Sequence, residues 1–177
     1  MAGNDRPVYH GGTTASATVQ EQEFKSIYRE YGRPLYGYVL WLTGSRAASD
    51  DILQTVFLRV WRGAAVPEEP AQRKAWLYTV CRNACLDHFR AASRGLRFRR
   101  QYALETQAPD PDARGDSLLW EMVEKLPETD RTVVHLHVRM GWSYAEVAEV
   151  LKTTENNVRV RAFRAFRKLR GAFTEKP

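Results

Sequence analysis

Between Gly141 and Leu169 this chain carries two short helical patterns separated by a three-residue turn, Lys152-Thr153-Thr154. That arrangement leaves few folds open. Gly141 breaks the preceding helix, and Ser143-x-x-Glu146 is a capping box that opens a short helix ending at Leu151. Ala145, Val147, Ala148 and Leu151 supply the small and apolar side chains that a tight crossing needs. After the turn, Val158, Ala162, Ala165 and Leu169 recur at i, i+4, i+7 and i+11, which is a core stripe. Two helices joined by a short turn behind a supporting helix make a helix-turn-helix.

The face opposite that stripe is the one free to enter a major groove. It carries Asn156, Val160, Phe163, Arg164 and Arg167, flanked by Asn157, Arg159 and Arg161. A solvated surface accounts for the arginines but not for Val160 and Phe163 among them. Arginine reads guanine edges, asparagine reads adenine edges, and an apolar group meets the thymine methyl. On this pattern Arg161 and Arg167 are expected to hold phosphates. Glu155 suits the helix dipole but repels a phosphate.

The remaining sequence is read as all-α. Lys and Arg total 27 against 21 Asp and Glu, a net charge of +6 that suits a polyanionic partner. No signal peptide and no apolar run of membrane-spanning length is visible, so the expected compartment is the cytoplasm. Residues 1–19 are rich in Gly, Thr and Ala and read as a disordered tail. Residues 20–92 read as a four-helix bundle. Phe24, Ile27, Tyr28 and Tyr31 start the first helix, and Gly32 with Pro34 suggests a break and a second helix ending at Thr43-Gly44. Ser49 is expected to cap the next helix, with Ile52, Leu53, Val56, Phe57 and Val60 inward. Gly63–Gln72 reads as a loop and Arg73–Ala92 as the last helix of the bundle.

Residues 93–116 contain Gly95, Pro109, Pro111 and Gly115 and read as a flexible linker. Residues 117–172 form the second small domain. There Pro127 is expected to start one helix carrying Val133, Val134, Leu136 and Val138. Charge is split along the chain. Arg82 to Arg100 holds six arginines against one acid, whereas Gln101 to Asp130 holds eight acids against two basic residues.

Ser49 to Trp61, Ala75 to Asn83, and Gly141 to Ala148 with Leu126-Pro127 resemble segments of RNA polymerase sigma factors. The run from Ser49 to Trp61, SDDILQTVFLRVW, is similar to region 2.2. The run from Ala75 to Asn83, AWLYTVCRN, resembles the promoter-melting segment that follows. Leu126-Pro127 and Gly141 to Ala148, GWSYAEVA, resemble region 4. Two domains with only a linker between them resemble the extracytoplasmic-function (ECF) class.

The resemblance implies core RNA polymerase as partner, through its β′ clamp helices and β flap, together with promoter DNA and an anti-sigma factor. It implies polymerase binding by Asp51, Gln54, Arg59 and Arg62, polar positions off the core stripe of their helix. It implies −10 recognition and melting by Trp76, Tyr78, Arg82, Asn83, Asp87 and Arg90. Aromatic faces stack on unpaired bases, and Asn83 matches the asparagine of the pocket for a flipped base. The −35 element falls to the helix-turn-helix. Loop residues Pro67, Glu68 and Glu69 depart from loops that offer an aromatic or basic reader. The acidic stretch from Glu105 to Asp116 resembles the segment threaded through the polymerase cleft, though a plain tether accounts for it equally well.

Two further readings were open. Cys81, Cys85 and His88 share a helix face at i, i+4, i+7, the spacing of a partial zinc site. Leu77 and Ala84 in the same stripe favour buried core cysteines, and neither a metal nor another cofactor is expected. No nucleophile–base constellation or phosphate loop is present, so no enzyme is expected. The competing function is a free-standing helix-turn-helix regulator with a sensing first domain.

Overall fold

The computed structural model describes residues 12–99, 122–123 and 125–174. Residues 1–11 and 100–121 lie outside it, and with them part of the expected tail, most of the expected linker and the helix start near Ser117. Six helices are described. They are α1 (Gly12–Thr43), α2 (Arg46–Trp61), α3 (Pro70–Arg99), α4 (Glu128–Val133, continued as a π-helical turn over Val134–Arg139), α5 (Tyr144–Leu151) and α6 (Glu155–Thr174). None of them is long and apolar enough to cross a membrane.

Helix α1 corrects two expectations. It begins at Gly12, inside the stretch read as a tail, and it runs unbroken through Gly32 and Pro34. An interior proline costs a helix about 3 kcal/mol. Packing offsets that cost, because Ile27, Tyr31, Leu35, Tyr38, Val39 and Leu42 all fall on one buried stripe that a break would split. Gly44, at φ +66°, then ends the helix region where expected.

The cap of α2 is Ser45 rather than Ser49. Ser45 accepts from the Ala48 N–H at 3.3 Å, while Ser49 is buried and donates to the Ser45 carbonyl at 2.7 Å. Ser49 fails as a cap because it lies on the buried side of α2, with Ile52, Val56 and Val60 following it. Helix α3 starts earlier than expected, at Pro70, because the Glu69 carboxylate caps it. Glu69 accepts from Ala71 N–H at 3.1 Å and Gln72 N–H at 2.7 Å, and Pro70 suits the first turn. At its other end α3 continues through Arg99, into the segment read as linker.

The Pro127 helix is not one regular α-helix. Met140 N–H reaches back five residues to the His135 carbonyl at 3.1 Å. Val138, expected among the apolar residues of this helix, is 60% exposed, two residues on from the buried Leu136 and so on the opposite side. The capping box of α5 is present as expected. Ser143 Oγ accepts from Glu146 N–H at 3.2 Å, and Ser143 N–H donates to the Glu146 carboxylate at 2.8 Å. The Ser143 N–H foremost, then the Ser143 hydroxyl donating to Glu146 Oε2 at 2.9 Å, hold the Glu146 carboxyl below its ordinary range. Ser143→Ala is expected to destabilise the second half by about 1 kcal/mol in urea unfolding. The Glu146 contribution is present at neutral pH and is lost as acid protonates it.

The two halves do not keep separate cores. One cluster joins Leu35, Tyr38, Leu77, Tyr78 and Cys81 to Val133, Leu136, Trp142, Val147, Val158 and Ala162. Tyr78 meets Trp142 edge-on at 4.7 Å between ring centroids. Tyr38 Oη and Thr132 Oγ1 are 3.2 Å apart, and Trp41 Nε1 donates to the Arg131 carbonyl at 3.1 Å. The halves each pattern as amphipathic helices, so sequence periodicity alone could not reveal that part of each apolar face is reserved for the other.

Candidate nucleic-acid and polymerase interface

Helix α6 packs through Val158, Ala162 and Ala165, which are buried. Asn156, Asn157, Arg159, Val160, Arg161, Phe163, Arg164 and Arg167 are all exposed. Phe163 is 66% exposed and Val160 41%, so apolar groups stand among the cations on the outward face. Three of the expected readers have partners within the chain. Arg159 pairs with Glu155 at 2.7 Å, Asn157 Nδ2 donates to Thr153 Oγ1 at 3.1 Å, and Arg161 lies 3.4 Å from the largely buried Asp130. Arg161 thus ties α6 to α4. Lys152, at φ +49°, makes the left-handed turn that aims α6 away from α5.

The candidate −10 residues divide into two groups. At about 100° per residue, Trp76, Asn83, Asp87 and Arg90 share one side of α3. Asn83, Asp87 and Arg90 are exposed, Trp76 is half-buried, and Arg90 pairs with Asp87 at 3.0 Å. Tyr78 and Arg82 turn toward the second half instead. Tyr78 is 1% exposed. Arg82 Nη2 donates to Glu128 Oε2 at 2.9 Å, and its Nε lies 2.8 Å from Oε1. In this arrangement neither can meet a base, because the second half occupies their face. Lys74 beside them lies 3.9 Å from the centroid of the Trp142 ring.

The loop before α3 is held by its own chain. Arg73 donates to the carbonyls of Pro67 at 2.9 Å and Glu68 at 2.8 Å. Glu69, conspicuous in the sequence as a poor base reader, is the α3 cap. Cys81 and Cys85 are buried free thiols, and burial pushes the Cys85 thiol up to about 12, so neither is a reactive thiolate. His88 is exposed, whereas both cysteines are buried.

Asp51 and Gln54 open onto a groove of about 900 Å³ between α1 and α2. Its walls include Phe24, Tyr28, Arg29, Leu58 and Trp61. Tyr28 is 56% exposed, Leu58 43% and Trp61 44%. Arg59 and Arg62 are exposed but are not among its lining residues. Tyr28, Leu58 and Trp61 were missed in the sequence as site residues. Leu58 and Trp61 follow Gln54 at i+4 and i+7, off the buried stripe, and that spacing was the available signal.

A helical first half with an exposed apolar groove, packed on a helix-turn-helix with a cationic outward face, defines a DNA-binding transcription protein with a protein partner. Residues 27–95 match the sigma-70 region 2 family and residues 116–169 match sigma-70 region 4. The chain is 30% identical over 167 residues to the ECF RNA polymerase sigma factor SigL of Mycobacterium tuberculosis, covering 89% of this chain and 92% of that one. It is 24% identical over 165 residues to SigX of Bacillus subtilis, covering 85% and 83%. The co-crystal structure of the sigma factor RpoE with the anti-sigma factor NepR from Bartonella quintana has the same fold. Its TM-score is 0.73 at 20% identity, covering 88% of this chain and 99% of that one. The chain belongs to the ECF class of RNA polymerase sigma factors. It directs promoter-specific transcription initiation as a regulatory subunit, and the free-standing regulator is not favoured.

Proposed function

We propose that this chain acts in the cytoplasm, docks on core RNA polymerase through the α1–α2 groove and reads promoters with two separate faces. The division of labour follows the expected domains, residues 20–92 for polymerase and the −10 element and 117–172 for the −35 element. Asp51 and Gln54 supply the polar rim of the groove, and Leu58, Trp61 and Tyr28 supply its apolar floor and walls. An aromatic anchor in a groove ringed by polar groups is the usual form of a binding hot spot. Asn83 is exposed on α3 and the half-buried Trp76 lies two turns before it on the same side, where an unpaired base can stack and be read. Asn156, Arg159, Val160, Phe163 and Arg164 enter the −35 major groove, with Arg161 and Arg167 on phosphates. An anti-sigma factor is the further partner, since the similar RpoE chain was crystallised with one.

The observation that carries this reading is the apolar–cationic face of α6, where Phe163 and Val160 stand exposed among arginines. Arg164→Ala is expected to weaken −35 recognition by about 1–3 kcal/mol if it contacts a base edge. Equal loss on all sequences assigns Arg164 to a phosphate instead. Asn83→Ala is expected to slow open-complex formation on duplex promoters and to be rescued on templates mismatched across the −10 element. Normal transcription from duplex templates would remove Asn83 from the melting step.

A further inference from the structure

His135 lies at the seam between the two halves. It is 2% exposed, and its ring centroid is 5.3 Å from that of Tyr38 and 5.5 Å from that of Trp41. Neither ring nitrogen has a hydrogen-bond partner among the described residues. Its neighbours in sequence make the polar contacts across the seam, Arg131 through its carbonyl to Trp41 and Thr132 through its hydroxyl to Tyr38. A buried polar group without a partner costs stability. A leucine or phenylalanine would fill the same space without that cost.

The surroundings oppose a charged imidazole. From α1 it faces Tyr38, whose phenol burial pushes well above its ordinary value and so keeps neutral. From α3, beyond Tyr38, come Tyr78 and the thiols of Cys81 and Cys85, all shifted upward by burial. Arg82 is matched by Glu128, and Asp130 by Arg161 of α6. On its own stretch stand Arg131 and Arg139, both cationic. Burial first and the Arg139 charge second bring the His135 pKa down to about 3. When the halves part, Tyr38 and Trp41 leave the ring and water replaces them.

We propose that His135 makes the closure of the two halves proton-dependent, with acid favouring their separation. Closed, the ring stays neutral at any physiological pH. Parted, it returns to an ordinary value near 6.5. The parted form therefore binds the extra proton, and closure weakens as pH falls below that value. This needs only that the halves separate, by whatever means, and does not rest on the promoter-reading roles given above. Its consequence is that acid frees the face of α3 that carries Tyr78 and Arg82.

The Trp41 indole N–H reports on the seam, because its acceptor belongs to the other half. Indole hydrogen exchange in the full chain, corrected for the intrinsic rate at each pH, gives the opening equilibrium. It is expected to rise about tenfold between pH 7.5 and pH 5.5, the linkage of one proton to one histidine. His135→Gln and His135→Phe are expected to flatten the profile. A flat wild-type profile, or the same rise in both variants, overturns the proposal. If the variants do not fold, NMR titration of the His135 ring in the wild-type chain decides it. A ring still neutral at pH 5 supports it, and an ordinary titration near pH 6.5 overturns it.

Discussion

Glu128→Ala is expected to destabilise the joined halves by about 3 kcal/mol. Arg82 and Glu128 are nearly buried, their side chains 15% and 11% exposed, and the two charged groups approach to 2.8 Å. Removing one partner of a buried pair costs about 3–5 kcal/mol, because the survivor keeps its desolvation penalty without compensation. The residual exposure lets some water reach Arg82, which places the cost at the lower end of that range. Glu128 also accepts from Thr132 Oγ1 at 3.1 Å, and Thr132 is the residue beside the Tyr38 hydroxyl. Loss of the carboxylate thus loosens a second contact between the halves. Urea unfolding should show the loss, and fluorescence energy transfer between dyes on α2 and α6 should show a longer distance. Arg82→Leu with Glu128→Leu should restore much of the stability, since replacing a buried pair by packed apolar groups is often neutral.

Trp61→Ala is expected to weaken binding to core polymerase by about 2–4 kcal/mol, or roughly 30- to 1000-fold in Kd. The ring closes one wall of the α1–α2 groove and meets Phe24 edge-on at 5.2 Å. Almost half exposed in the free chain, it has apolar area left to bury on a partner, which its neighbours Phe57 and Val60 have already spent in the core. Truncation should leave helix content unchanged by circular dichroism. Arg59→Ala, outside the groove, is expected to change affinity by less than about 1 kcal/mol. Equal effects of the two substitutions would place the docking surface elsewhere.

The helix-turn-helix was legible because it depends on local chemistry. The Ser143–Glu146 capping box, the turn at Lys152 and the small-residue stripe of α6 are each decided within a few residues, and each is in place. The continuity of α1 was not legible, because local signals at Gly32 and Pro34 are overridden by a core built from distant segments. Ser49 shows the same competition. It has the chemistry of a cap, but its position on the buried side of α2 leaves the cap to Ser45. The resemblance that named Tyr78 and Arg82 beside Trp76 and Asn83 could not foresee the division of α3. That depends on where the second half sits, and no periodicity within α3 encodes it. The π turn likewise has no sequence signature here.

The central claim is that this chain gives promoter choice to a polymerase rather than binding promoters alone. Run-off transcription with core RNA polymerase on a fragmented genomic library, with and without the purified chain, tests it directly. The account predicts discrete new start sites that require the chain and disappear with Trp61→Ala, with weak duplex binding by the chain on its own. Tight sequence-specific binding by the free chain, with no new start sites when core polymerase is added, would contradict it.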